Sequence, residues 1–408
     1  MNFQTHTCAN GLRIILLPSP SSVIFCGFAV KAGSRNELPG EEGLAHFCEH
    51  LSFKGTHRRT AVQIINALEG VGGELNAFTN KEDTVYYAAT TSEHFRQAVD
   101  VLADIVFCSE YPQHEVEKES EVVCDEIESY EDSPAELIFD EFENLLFAGH
   151  PLGHNILGTS ERVRQYTSAD AHRFTSRYYQ PDNCIFFASG KLELSKVVRL
   201  VERAITASEK ASSSVVAPSV QLDQLPASPV VSHRNTHQSH VMMGARAFHA
   251  DDPRRWALYL LNNMLGGPSM NSRLNLSLRE RNALVYTVES SMVAYSDAGA
   301  WSVYFASDSH DVQRCCRLVR RELQRLMQSP LSELQLNRAK QQLRGQLIIA
   351  ADNREQFTLD NARNFLHRHT EKSLTDLLAH IDALTAHELQ NVACTAFDDK
   401  RMLTLIYD

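Results

Sequence analysis

The chain has 408 residues, 43% hydrophobic and 22% charged, which at roughly 100–200 residues per domain leaves room for two to four globular domains. No run approaches the ~18 apolar residues needed to span a bilayer. The start, Met1-Asn2-Phe3-Gln4-Thr5-His6, lacks the basic-then-apolar order of a secretory leader. A net charge of −12, from 39 basic and 51 acidic residues, argues against nucleic acid or an anionic membrane as partner and favours cationic ligands such as basic peptides. Nine scattered cysteines without a Cys-x-x-Cys pair predict reduced thiols and a cytoplasmic location.

In chain order, strands are predicted at 11–17, 22–31, 73–80, 83–90 and 183–189, alternating with paired helices. Gly70-Val71-Gly72-Gly73 reads as a helix-to-strand turn, because no Lys-Ser/Thr follows to make a phosphate loop. The strand around Thr84–Ala88 leads to an amphipathic stretch ending at Phe107, then to a helix from Gln113 to about Tyr130. His150-Pro151-Leu152-Gly153-His154 spaces two imidazoles by four, but its proline and glycine predict a loop. Residues 207–231, rich in Ser, Ala and Pro, read as a linker between domains at 1–206 and 232–408.

After the linker the pattern returns. Trp301–Phe305 reads as a strand, an amphipathic stretch runs to Met327, and a helix is predicted from Ser332 to about Ala351. This internal repeat predicts an α+β fold of two tandem homologous domains, each a mostly antiparallel sheet with helices packed on one face.

The first half contains Gly43-Leu44-Ala45-His46-Phe47-Cys48-Glu49-His50-Leu51. On a helix, with His46 at zero, His50 falls at about +40° and Glu49 at about −60°, while Leu44, Phe47 and Leu51 fall at about 100–160°. Two imidazoles and a carboxylate therefore project from one side while an apolar stripe anchors the other. Cys48 falls at about 200°, away from the imidazoles, as a small apolar residue. This donor set suits zinc, which takes nitrogen and oxygen ligands and keeps a position for water. Chance gives roughly 0.06 such motifs in a chain of this composition.

A third ligand is offered by the acidic helix. Glu119 and Glu126, seven apart, differ by about 20° around the axis and are expected to share a side with Val122, Val123 and Ile127. Unpaired carboxylates on an apolar face cost several kcal/mol each, a cost that a metal ion removes.

His-x-x-Glu-His followed about 75 residues on by Glu-x6-Glu-Ile resembles the pitrilysin-type zinc metallopeptidases, or inverzincins, which include the insulinase and mitochondrial-processing-peptidase types. The resemblance implies one Zn2+ per chain, held by His46, His50 and Glu126, with Glu49 as general base and Glu119 as a supporting acid. It also implies that Gly72–Thr79 forms an edge strand where substrate pairs by backbone hydrogen bonds at Asn76 and Ala77. In the second half, Ser272-Arg273-Leu274 and Leu278-Arg279-Glu280, running on to Leu284-Val285-Tyr286, resemble the family's substrate-binding segment, with Arg279 and Tyr286 contacting the scissile peptide.

Aligning the repeats sets Tyr259, Asn262 and Asn263 opposite His46, Glu49 and His50, and Gln346 opposite Glu126, so the second copy loses every ligand. This fits a metal-free partner domain that forms, with the first, half of a clamshell. The resemblance implies a zinc endopeptidase that cleaves short or unfolded peptides in a closed chamber, completed by a second copy in a homodimer. Two alternatives stand beside it: a processing-peptidase subunit needing a different partner chain, and a non-catalytic scaffold subunit. No Gly-x-Ser-x-Gly elbow supports a serine hydrolase.

Overall fold

The structure is a computed structural model that describes residues 3–205, 222, 224–226, 228–234, 236–370 and 373–408. Most of the expected linker at 207–231 lies outside the described residues.

The first half runs β1 (Gln4–Thr7), β2 (Arg13–Pro18), β3 (Val23–Val30), α1 (Leu44–Leu51), α2 (Ala61–Glu69), β4 (Glu74–Thr79), β5 (Thr84–Thr91), α3 (Phe95–Phe107), α4 (Gln113–Glu131), α5 (Pro134–Leu146), α6 (Ser160–Val163), α7 (Ser168–Tyr178), β6 (Cys184–Gly190) and α8 (Leu194–Ala204). Its strands form one sheet in the order β1-β2-β6-β3-β5-β4, antiparallel except for the β2–β6 pair. The second half runs β7 (Val230–Ser232), β8 (Ser239–Arg246), α9 (Arg255–Gly266), a π-helical turn (Asn275–Glu280), β9 (Val285–Ala294), β10 (Gly299–Ser307), α10 (Val312–Gln328), α11 (Glu333–Ala350), α12 (Arg354–Arg368), α13 (Leu374–Ala383), α14 (Ala386–Ala396) and β11 (Leu403–Tyr407). Its sheet has the order β7-β11-β8-β10-β9, again with one parallel pair, β7–β11.

Continuous apolar strands bury both faces of a sheet, since successive side chains point to opposite sides. In β2, Ile14 and Leu16 enter the core beneath α1, α3, α7 and α8, while Ile15 and Leu17 enter a second core on the other face. In β10, Trp301, Val303 and Phe305 face one core and Ala300, Tyr304 and Ala306 the other. The predicted helices on one face are present. The second face of each sheet is also covered, by one helix drawn from the other half of the sequence.

The first compact unit accordingly comprises Met1–Ser129, His154–Val220 and Asp352–Ser373, and the second Tyr130–Gly153, Gln221–Ala351 and Leu374–Asp408. In the first unit, α12 lays Leu359, Ala362, Phe365 and Leu366 on the sheet. Arg13 donates to the carbonyls of Phe365 and Leu366, while Arg363 and His367 both pair with the fully buried Asp83 at 2.9 Å. In the second unit, α5 buries Leu137, Ile138, Phe142 and Leu146 against β8 and β11. A single cut in the linker therefore does not describe how the chain packs. Among the described residues no helix is long and apolar enough to cross a membrane.

Candidate active site

Helix α1 is built to hold its polar side rigid. Leu44, Ala45, Phe47, Cys48 and Leu51 are fully buried, and the thiol of Cys48 points to the carbonyl of Ala171 on α7, away from the imidazoles. Gly43 precedes the helix with φ 89°, and a Cβ there would meet the Leu157 carbonyl at 2.5 Å, so glycine is required. The first turn's free N–H groups are satisfied by Glu37, whose carboxylate accepts from Gly43 N at 3.0 Å, Ala45 N at 2.8 Å and His154 Nε2 at 2.9 Å. An acidic group at a helix N-terminus meets both the orphan donors and the positive end of the dipole. Burial nonetheless pushes the Glu37 carboxyl up to about 7.

Helix α4 supplies the two glutamates, with its buried arc turned from the expected position. Val116, Glu119, Ser120, Val123, Cys124 and Ile127 are buried, whereas Val122 is 50% exposed. With Glu119 at zero the buried positions run from about 0° to about 140°, which leaves Glu126 at about −20° and Val122 at about −60°. Cys124 reaches the Ser160 carbonyl and Ser120 bonds back to the Glu117 carbonyl, so the polar atoms on that side of the helix are satisfied while buried. Glu119 is consequently enclosed, and Glu126 stands at the border with its side chain 44% exposed.

His46, His50 and Glu126 converge. One donor atom from each lies within 4.8 Å of the other two, with His46 Nε2 at 3.8 Å and His50 Nε2 at 3.5 Å from the Glu126 carboxylate. These separations exceed good hydrogen bonds and approach the ~3.3 Å expected between N and O donors around one zinc-sized ion. His46 is 7% exposed, its Nδ1 has no hydrogen-bond partner among the described residues, and burial followed by the charge of His50 holds it down to about 3. It is thus a neutral imidazole, the form that ligates metals. His50 donates from Nδ1 to Glu119 Oε1 at 3.0 Å, which leaves Nε2 free toward Glu126. Burial alone would lower the His50 pKa, but the hydrogen bond to Glu119 raises it above its ordinary value. The chemistry of the donor set and its spacing fit one divalent cation.

Glu49 does not belong to that triad. It is 8% exposed and accepts a hydrogen bond from Thr79 Oγ1 at 2.6 Å. Burial pushes its carboxyl up to about 7, with the charge of Glu126 acting in the same direction and Thr79 and His50 opposing. A carboxylate so poised accepts and releases protons near neutrality. Behind His50, Glu119 takes Lys54 Nζ at 2.6 Å on its other oxygen. Burial would raise its pKa, and the bonds from His50 and Lys54 bring it below the ordinary value.

Three residues join the site without a motif of their own. Thr79 carries a faint signal, since strand alternation places it on the same side as Ala77. Lys54 and Glu37 carry none, because their contacts depend on the turns that follow and precede α1. Asn76 and Ala77 lie on β4, an edge strand that among the described residues pairs only with β5, through Asn76–Tyr87 and Ala77–Tyr86. Asn76 is exposed and Ala77 half-buried.

In the second unit, the guanidinium of Arg279, on the π-helical turn, stands 5.2 Å from the ring centre of Tyr286 on β9, and the Tyr286 side chain is 79% exposed. Both line a cavity of about 540 Å³ together with Tyr259, Asn262 and Asn263. Asn262 is tied to Trp301 Nε1 and Gln346 to Ser269. The residues that the repeat alignment sets opposite His46, Glu49 and His50 thus line a pocket beside Arg279 and Tyr286.

Residues 13–160 match the family model described as Insulinase (Peptidase family M16), and residues 165–343 the one described as Peptidase M16 inactive domain. A Bacillus subtilis protein named an uncharacterized zinc protease is 31% identical over 99% of this chain and 98% of its own length. A Streptomyces coelicolor protein of the same designation is 33% identical over 98% and 88%. Among solved structures, a protease from Helicobacter pylori superposes with TM-score 0.91 at 22% identity, covering 100% of this chain and 99% of its own. An M16-like peptidase from Alicyclobacillus acidocaldarius superposes with TM-score 0.84 at 21% identity, covering 100% and 98%. By sequence over nearly its whole length, and by fold, the chain belongs to the insulinase family of peptidases, peptidase family M16.

Proposed function

We propose that this protein is a zinc-dependent endopeptidase for short or unfolded peptides. His46, His50 and Glu126 hold the ion and Glu49 is the general base. The observation that carries this reading is the division of labour around α1: three metal donors converge, while the buried carboxylate of Glu49 stands beside them, held by Thr79.

A zinc ion bound there supplies Lewis acidity, polarising a peptide carbonyl and bringing the pKa of water down to about 7. Glu49 accepts a proton from the attacking water at one carboxylate oxygen and passes it to the leaving amine. Thr79 occupies the other oxygen, so the base cannot swing away. Glu119, neutralised by Lys54, fixes the His50 ring and keeps its Nδ1 protonated. The free edge of β4 receives the substrate as an added strand at Asn76 and Ala77. Arg279 and Tyr286 bind and orient the peptide.

The Arg279 and Tyr286 acting at each zinc site come, in this reading, from a second copy of the chain, so that a homodimer encloses two sites in a chamber that admits only short or unfolded substrates. The test is cleavage of a quenched unstructured peptide by the purified chain, with and without chelator, combined with subunit mixing. Cleavage that chelation abolishes and zinc restores is expected. Glu49→Gln and Arg279→Ala chains, each inactive alone, are expected to regain about a quarter of the parent rate when mixed, because half the randomly paired dimers then carry one complete site. No recovery, or an active monomer in sedimentation, overturns the dimer. Absence of zinc-dependent cleavage by the single chain overturns the self-sufficient peptidase in favour of a subunit that needs another partner.

A further inference from the structure

The opposite edge of the first sheet carries a second set of metal donors. His6 on β1 and Cys8 just beyond it are two residues apart, so both point to the same face. Helix α8 crosses that face, burying Val197 and Val201 and leaving Glu202 at the rim. One donor atom each from His6, Cys8 and Glu202 lies within 4.8 Å of the other two. The thiol is buried, whereas His6 and Glu202 are exposed.

We propose that His6, Cys8 and Glu202 form a second zinc site, which staples the N-terminal edge strand to α8. Imidazole, thiolate and carboxylate together select a late first-row cation of zinc type over magnesium or calcium, which prefer oxygen donors alone. Four-coordinate zinc keeps such donors about 3.3–3.8 Å apart. The two exposed side chains reach that spacing by rotamer changes around a fixed sulfur, and the open side leaves the fourth position to water.

The metal-free cluster holds a proton where the cation goes. The Cys8 thiol lies beside the Glu202 carboxylate, their donor atoms within 4.8 Å of each other. Zinc binding forms the metal–sulfur bond and releases that one proton to solvent, leaving the ion, thiolate and carboxylate with no net charge. The fold gives the staple a purpose. All four residues of β1 are exposed and, among the described residues, pair only with β2, and an unguarded edge strand frays and invites foreign strands. Five strand spacings separate β1 from β4, about 24 Å, well beyond the ~8 Å screening length. The staple therefore acts on the edge and leaves peptide hydrolysis unchanged.

The site is tested on the reduced, full-length chain by metal stoichiometry and cobalt substitution. The parent is expected to load two zinc ions and Cys8→Ser and His6→Ala one each, with unaltered peptide hydrolysis. Cobalt in the parent is expected to show thiolate charge-transfer absorption in the near ultraviolet. The band should persist in Glu126→Ala, which lacks the other site, and vanish in Cys8→Ser. Zinc should slow hydrogen exchange of β1 in the parent and not in Cys8→Ser. A parent that loads one zinc, or a charge-transfer band that survives Cys8→Ser, overturns the proposal without touching the assignment of His46, His50 and Glu126.

Discussion

Replacing Glu49 by Gln changes the proton chemistry of the site with little else. The amide has nearly the shape of the carboxyl, and its oxygen still accepts the Thr79 hydroxyl that lies 2.6 Å from Glu49 Oε2. The residue is 8% exposed and belongs to none of the ligand pairs joining His46, His50 and Glu126, so the fold and the metal donors stay in place. What disappears is a group held near pH 7 by burial, and loss of a positioned general base costs about 10²–10⁴ in rate, or about 3–5 kcal/mol of transition-state stabilisation. The expected phenotype is therefore a kcat lowered by about 10²–10⁴, with KM and zinc content at parent values. Steady-state cleavage of a quenched peptide, together with metal analysis of the same preparation, measures all three. Hydrolysis within a few-fold of the parent refutes the assignment of the base. Loss of zinc in step with activity shows instead that Glu49 is a ligand.

Glu119→Gln leaves one neutral oxygen where His50 and Lys54 now each have a carboxylate oxygen, so it cannot accept from both and no longer offsets the Lys54 charge; zinc affinity is expected to fall about 10–100-fold, read by competition with a calibrated chelator, and an unchanged affinity contradicts the relay. Thr79→Val frees the Glu49 carboxylate to rotate, and kcat is expected to fall about tenfold with KM preserved, again by peptide cleavage. Asp83 is driven down to about 2, because the bonds and charges of His367 and Arg363 outweigh its burial. A carboxyl lowered on folding stabilises the fold above its unfolded value near 3.9, and that contribution drains away as pH falls toward 2; by linkage it is worth about 2–3 kcal/mol at neutrality. Asp83→Asn is therefore expected to lower stability by at least this amount at pH 7 and to raise hydrogen exchange across residues 354–368, with the difference from the parent shrinking in acid. Equal exchange in α12 at pH 7 refutes the pin.

The chemistry of the α1 face was legible because it is local. Spacing of four puts His46 and His50 together on any helix, and seven does the same for Glu119 and Glu126, whatever surrounds them. The strands from β2 to β6 were legible for the same reason, since alternation and apolar runs need only nearest neighbours along the chain. On α4, by contrast, periodicity placed Val122 inside, whereas the buried arc runs through Val116, Val123, Cys124 and Ile127 and leaves Val122 50% exposed. The edge strand β1, four exposed residues long, had no apolar pattern to announce it.

An amphipathic stripe states that a face is buried but not against what. Leu359, Ala362, Phe365 and Leu366 mark α12 as packed, yet only the tertiary structure sends it to a sheet built from residues more than 150 positions earlier. The helix is chosen by Asp83 and Arg13, contacts that exist only once the first sheet has formed. Lys54 was hidden in the same way, since Glu119 lies 65 residues further along the chain, and Thr79 meets Glu49 only once β4 is packed against α1. By itself the sequence determined which side chains one helix presents together. Folding alone decided which separate pieces of chain meet, because burial rewards any complementary apolar surface, and charge pairing and turn geometry select among them.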